Sequence, residues 1–252
     1  MDAMINGYTA EQVRAAEAPL LAAGVPLMAL AAAGLAREIQ ALLPDTGGKV
    51  LVLAGSGDNG GDALYAGAEL AAGAKVTIVP TGSRVHEPAL AAALAAGAHL
   101  TSLNHAARLA AEADVLVDGI VGTGTSANPA LRGGARDVVE AILPVLGGPG
   151  RPLVVAVDIP SGINPNDGSV PRSRTAGTAA VLPADLTVTF GGYKAGLFLP
   201  PASVLAGRVV LIDIGLGPEL DRMVPAIRSA GGESPPAPMR AGQTGTNAPT
   251  SN

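Results

Sequence analysis

Three short apolar runs in this sequence each end in an aspartate and a glycine-rich turn. After Lys49–Ala54 comes Gly55-Ser56-Gly57-Asp58-Asn59-Gly60-Gly61-Asp62. After residues 115–117 comes Asp118-Gly119-Ile120-Val121-Gly122-Thr123-Gly124-Thr125. After residues 154–157 comes Asp158-Ile159-Pro160-Ser161-Gly162. One Asp-Gly pair is an ordinary turn former or helix cap. Three at the same end of one sheet point to a shared site. Such oxygen-rich loops suit a hard cation, or acid–base work by a single carboxylate. Asn59, Asp118 and Ser161 each offer a side-chain oxygen without bringing three charges. A set with so few carboxylates suits a weakly charged ion better than a divalent one.

Other motifs narrow the chemistry. Gly55, Gly57 and Gly60 match G-x-G-x-x-G, which points backbone N–H groups at an anionic ligand group from a helix start. A dinucleotide-binding dehydrogenase also needs an acidic residue after its second strand. Here that strand ends Val79-Pro80-Thr81-Gly82. Ser161 lies in Pro160-Ser161-Gly162, not in the G-x-S-x-G turn of an exposed nucleophile. His86, His99 and His105 fall away from the strand ends, so a Ser-His-Asp triad is not supported. Lys194 follows the Leu186–Phe190 run and has two readings: a contact to a ligand phosphate or amide, or a solvated loop lysine.

The elements that must position these residues are legible in outline. The apolar runs are continuous, not alternating: residues 49–54, 75–79, 114–117, 153–157, 186–190 and 209–212. Strands buried on both faces of a parallel sheet read this way. Alanine-rich helical stretches over 62–72, 87–96, 106–113 and 135–146 lie between most of them. The alternation predicts an α/β fold, Rossmann-like and three-layered, with a doubly wound, mostly parallel sheet. Thr9 followed by Gln12 predicts a capping box that opens a helix through about Ala23. A second helix is expected from Pro26 to before Pro44. Residues 18–36 carry no charge, a length that could span a bilayer. Pro19, Gly24 and Pro26 break the stretch, so two soluble helices and no membrane span are expected. Residues 228–252 contain no Leu, Ile, Val or Phe. The expected division is a domain over 1–216 and a low-complexity, disordered tail over 217–252.

Composition excludes much else. The 252 residues are 48% hydrophobic, which supplies one large core. Cysteine is absent, so disulfides, thiolate nucleophiles and cysteine-based metal sites are excluded. A net charge of −5 and 2% aromatic residues argue against a nucleic-acid partner. The N-terminus has no basic segment leading into an apolar one, so a cytoplasmic protein is expected.

At these residues the chain resembles a known family, NAD(P)H-hydrate epimerase, the YjeF N-terminal domain. GSGDNGGDA resembles the family's Gly-Asn-Asn-Gly-Gly-Asp-Gly loop. DGIVGTG resembles its Asp-x-hydrophobic-hydrophobic-Gly-x-Gly turn, and VAVDIPSGINPNDG its Val-Asp-x-Pro-Ser-Gly stretch. LTVTFGGYKAG with GRVVLIDIGL resembles its closing strands, so the likeness runs from about Tyr8 to Leu216. Three positions depart from the pattern. Asp58 stands where Asn is commoner, Ala63 replaces a glycine, and Gly192-Tyr193 replaces Ala-Pro before Lys194.

The resemblance implies an isomerase of nicotinamide cofactor repair that interconverts the R and S epimers at C6 of NADHX and NADPHX. It implies potassium as the cofactor, held by Asn59, Asp118 and Ser161. It implies a hydrate-binding set of Asp58, Asn59, Gly60, Gly61, Asp62, Gly122, Thr123, Gly124, Thr125, Ser126, Ala127, Asn128 and Asp158, to which Lys194 is added from its position. A homodimer working beside an NAD(P)H-hydrate dehydratase is the assembly implied. Asp158 is the expected acid–base or charge-stabilising group, with Asp62 second. Two other readings stay open on the residues alone: an NAD(P)-dependent oxidoreductase, and a non-catalytic nucleotide-binding scaffold of the same fold.

Overall fold

The computed structural model describes residues 4–125, 128–171 and 180–230. In chain order the elements are β1 (Met4–Tyr8), α1 (Ala10–Ala22), α2 (Leu27–Gln40), β2 (Lys49–Ala54), α3 (Asp58–Leu70), β3 (Lys75–Pro80), α4 (Glu87–Ala95), β4 (His99–Leu100), α5 (Ala106–Glu112), β5 (Val115–Gly119), α6 (Gly133–Leu146), β6 (Leu153–Val157), β7 (Leu186–Phe190), β8 (Tyr193–Lys194), α7 (Ala202–Leu205), β9 (Arg208–Ile212), α8 (Gly217–Leu220) and β10 (Ile227–Ala230).

Seven strands form one parallel sheet in the order β4-β3-β2-β5-β6-β7-β9. Alternate residues of each strand enter opposite cores. Val50, Val52, Val76, Ile78, Val115 and Val117 pack with Leu35 and Ile39 of α2 and Leu64 of α3. Leu51, Leu53, Leu116 and Val154 pack on the other face with Ala106 and Ala110 of α5 and Val139 and Ile142 of α6. A strand buried on both faces has no polar side to show, hence the unbroken apolar runs. The three-layer α/β expectation holds, and the large sheet is parallel throughout.

Strand order reverses between β2 and β5. From there the chain builds outward to β3 and β4 on one side and to β6, β7 and β9 on the other. Loops leaving the carboxyl ends of strands at such a switch diverge and leave a crevice.

A second, three-stranded sheet has the order β10-β1-β8. β1 runs antiparallel to β10 and parallel to β8. This sheet has no clear sequence signal. MINGY and IRSA are too short and too polar to stand out, and only tertiary pairing makes them strands. It also moves a boundary. The sequence reading ends the domain at Leu216, yet α8 and β10 follow, Leu220 is buried, and Ile227 pairs with Gly7. Ordered structure therefore continues to Ala230, and residues 231–252 lie outside the described ones.

The two N-terminal helices match their expected spans. The Thr9 hydroxyl accepts from Gln12 N (3.2 Å) and Gln12 Oε1 accepts from Thr9 N (2.9 Å). No single helix among the described residues is long and apolar enough to cross a membrane, and α1 and α2 meet at a bend of 116°. α3 starts four residues earlier than its alanine-rich part suggests, with Gly57 as its N-cap, so the whole Asp58–Asp62 stretch is helical.

Candidate functional site

The crevice at the switch point is an open pocket of about 430 Å³. Its floor comes from the start of α3 (Ser56, Gly57, Asp58, Asn59, Asp62), the loop after β5 (residues 120–124), Asp158 after β6, and Phe190 and Lys194 at β7 and β8. Arg14 and Glu17 of α1 form one wall.

The α3 start is fitted closely beneath its neighbour. A Cβ on Gly60 would lie 2.2 Å from the Gly55 carbonyl oxygen, and one on Gly55 1.7 Å from that of Ile120. Only glycine lets these backbones approach so far, and this sets the first turn of α3 directly against the β5 loop. Gly57 has no side chain to cap that turn, so its N–H groups are left for a ligand.

Asp158 is the most constrained residue of the site. It has φ +65°, outside the range a non-glycine residue ordinarily occupies. Ile159 N donates to Val157 O (2.8 Å) around it, making a tight γ-turn. The neighbouring strand ends alike: Gly192 N donates to Phe190 O (2.7 Å) around Gly191, φ +68°. Strain of this kind persists where the surroundings over-determine the position. Here Asp158 Oδ1 accepts from Thr189 Oγ1 (3.0 Å), from Phe190 N (3.3 Å) and from the Lys194 ammonium in a very short ion pair. Every one of these contacts falls on Oδ1, which leaves Oδ2 for the pocket.

Lys194 is only 2% exposed, so it is not a solvated loop lysine. Besides Asp158, its ammonium donates to Phe190 O (2.9 Å) and Thr189 Oγ1 (3.2 Å). Its three donors are thus used inside the protein, behind Asp158.

Asp62 is the counterpart. It is buried, Oδ1 has no hydrogen-bond partner among the described residues, and no cation pairs with it. Burial first, then repulsion from Asp158 and Asp58, push its pKa up from 3.8 to about 8, with Lys194 opposing. It therefore holds its proton to a higher pH than an ordinary carboxyl group does. Glu17 is also raised, chiefly by burial. Asp58 is exposed in the first turn of α3.

Asp118 and Ser161 lie beneath the pocket. Asp118 is fully buried. Its Oδ2 accepts from Ser161 N (2.9 Å), and its Oδ1 from Ser161 Oγ (2.6 Å) and Ile120 N (3.4 Å). Burial raises its pKa, and those hydrogen bonds oppose the rise. No positive side chain compensates it among the described residues. Ser161 Oγ accepts from Val121 N (2.9 Å) and lies 3.1 Å from Val121 O. Asn59 is buried, its Nδ2 has no partner among the described residues, and its Oδ1 would lie 2.7 Å from a Cβ at Gly122.

Of the residues read from sequence, the pocket thus brings together Asp58, Asn59, Asp62, Gly122, Thr123, Gly124, Asp158 and Lys194. Gly60 and Gly61 do not line it; Gly61 faces His86 and Met28. Asn128 is exposed and holds Ala130 N (3.2 Å). The Thr125 side chain, Ser126 and Ala127 lie outside the described residues. His86 caps α4, and none of the three histidines lines the pocket. Sequence reasoning missed Arg14, Glu17 and Phe190. The available signal was Glu11, Arg14 and Glu17 at every third position of an alanine-rich helix, a stripe that otherwise reads as solvent-facing.

Comparison with known proteins identifies relatives over most of the chain. A protein of Clavibacter michiganensis subsp. michiganensis (strain NCPPB 382) named NAD(P)H-hydrate epimerase is 52% identical over 231 residues, covering 89% of this chain and 96% of its own. One of the same name from Microbacterium testaceum (strain StLB037) is 50% identical over 227 residues, covering 90% and 85%. The bifunctional NAD(P)H-hydrate repair enzyme Nnr of Mycobacterium tuberculosis (strain ATCC 25618 / H37Rv) is 42% identical over 84% of this chain and 42% of its own. The crystal structure of yeast ynu0 shares the fold, with a TM-score of 0.62 at 19% identity over 76% of this chain and 83% of that one. The family model for the YjeF-related protein N-terminus matches residues 24–196, and the chain belongs to that family.

Proposed function

We propose that this chain epimerises hydrated NAD(P)H at C6, converting R-NADHX and R-NADPHX to the S forms. The observation that carries the mechanism is that two buried carboxyl groups line one pocket in different surroundings: Asp62 has no hydrogen-bond partner at Oδ1 among the described residues, and Asp158 is ion-paired with Lys194. Burial and the neighbouring carboxylates raise the pKa of Asp62, which suits it to hold and give a proton.

C6 bears a hydroxyl and is bonded to ring N1, so it is a hemiaminal carbon. Asp62 gives its proton to that hydroxyl, the C6–O bond breaks, and water leaves. The positive charge then spreads onto N1 and faces the Asp158 carboxylate. Water adds to the other face of C6, its extra proton passes to the water of the open pocket, and Asp62 takes a proton back from that water. Lys194 acts as a positioning residue: its ion pair holds Asp158 by Oδ1 while Oδ2 faces the ring.

The donors beneath the pocket fit potassium. One buried carboxylate with no compensating cation among the described residues, a hydroxyl, an amide oxygen and the Val121 carbonyl offer hard donors of low total charge. When bound, the ion supplies the charge that Asp118 lacks and ties together the loops after β2, β5 and β6. Potassium chloride is therefore expected to raise the melting temperature above that in tetramethylammonium chloride at equal ionic strength. The gain is about 2–3 kcal/mol when potassium is roughly a hundredfold above its Kd. D118N is expected to lose the potassium-specific part; equal melting in both salts sinks the assignment. The homodimer implied by the resemblance is tested by the mass in solution.

The reaction is tested with mixed R- and S-NADPHX and an excess of an S-specific dehydratase. The S half disappears at once and the rest lags at the spontaneous rate. Adding this protein is expected to abolish the lag. A persisting lag with tight binding of the hydrate would mark a binding scaffold instead.

A further inference from the structure

α1 is held against the pocket from several sides. It follows β1, whose Tyr8 pairs with Lys194. Ala10 N donates to Asn166 Oδ1 (2.8 Å), Asn166 Nδ2 donates to Glu11 Oε2 (3.0 Å), and Gln12 Nε2 donates to Val224 O (2.7 Å). One turn on, Arg14 reaches the β5 loop, donating from Nη1 to Thr123 O (3.3 Å) and from Nη2 to Glu11 Oε1 (3.2 Å). Its other N–H donors have no partner among the described residues.

The charges lining the pocket are unequal. Glu17, Asp58, Asp62 and Asp158 supply carboxyl groups; Arg14 and Lys194 are the cations. Lys194 is buried and fully engaged, whereas the Arg14 side chain is 46% exposed. An anionic ligand group entering among these carboxylates therefore meets one lining cation with donors to spare. The uncapped first turn of α3, lining the same pocket, offers N–H groups of the same preference.

We propose that Arg14 takes a phosphate group of the bound hydrate and so sets its affinity, an inference that rests on the epimerase reading. The substrate carries two sources of this chemistry: the diphosphate of both hydrates and the additional 2′-phosphate of NADPHX. The guanidinium contacts no reacting atom, so its loss raises KM and leaves kcat in place.

The test compares the parent, R14Q and R14K with both substrates, after equal melting temperatures show that all three are folded. R14Q is expected to raise KM about tenfold with kcat within about twofold, and R14K to recover most of the loss. An equal rise for NADHX and NADPHX places Arg14 at the diphosphate; a rise confined to NADPHX places it at the 2′-phosphate. Calorimetry with ADP-ribose and 2′-phospho-ADP-ribose reads the same contact without turnover, and R14Q is expected to bind one or both about tenfold more weakly. A parent that binds these probes through Arg14 yet leaves the lag intact refutes the reaction and not the contact. An unchanged KM and probe affinity in R14Q, or a parent that binds neither probe, overturns the proposal.

Discussion

D158N is expected to lower kcat/KM for epimerisation by about 10²–10⁴-fold and to destabilise the fold by roughly 3–5 kcal/mol. The two losses have separate causes. The rate falls because an amide presents no negative charge to a cation developing at C6 and N1. The stability falls because Lys194, 2% exposed, is left with its charge uncompensated. The double variant D158N/K194M removes both charges together. It is expected to recover most of the melting temperature and none of the rate. Circular dichroism and the lag assay, run on the same samples below the lowest melting temperature, separate the effects. D158N epimerising at the parent rate would falsify the assignment of Asp158.

The second large effect is expected at Asp62 and reads out as pH dependence. Its folded pKa of about 8 lies above its ordinary 3.8, so the folded chain holds a proton that the unfolded chain has released. The stability it confers is complete below about pH 4 and is lost as pH rises through about 8. The decline across that window runs at up to about 1.4 kcal/mol per pH unit. D62N carries no titrating group there, so its melting temperature is expected to vary less with pH and to exceed the parent's at pH 8. Its rate should drop by about 10²–10⁴-fold, because an amide gives no proton to the leaving hydroxyl. In the parent, the rate is expected to fall as pH passes about 8. A parent and D62N with parallel profiles of rate and melting would show that Asp62 is not the proton donor.

Much of this arrangement is legible in sequence because the relevant signals are local. The runs at 49–54, 153–157 and 186–190 are strands at those bounds, since residues buried on both faces must be apolar without interruption. The capping box at Thr9 and Gln12 is a four-residue pattern that forms its own bonds. The three aspartate turns emerge at one edge because a parallel sheet puts all its carboxyl ends on one side. What sequence leaves hidden is pairing across distance. Nothing near Lys194 announces that its partner is Asp158, 36 positions away. Nothing in the Glu11–Arg14–Glu17 stripe distinguishes a pocket wall from a solvated face until β1 fixes where α1 lies. The left-handed backbone at Asp158 is equally invisible, because the adjacent strand makes the same turn with Gly191.

The small sheet has a consequence for when the site comes into being. β1 pairs with β8 and with β10, joining Tyr8 to Lys194 and Met4 to Ala230. Contacts between segments so far apart in the chain close the largest loops, so they are expected among the last to form. During synthesis the parallel sheet through β6 can assemble with Asp62, Asp118 and Asp158 already in the chain. The strand that carries Lys194, and the wall that carries Arg14, wait for partners made much later. The substrate crevice is thus opened early by the switch in strand order and walled late by the chain's first strand, so the last steps of folding are also the completion of the pocket.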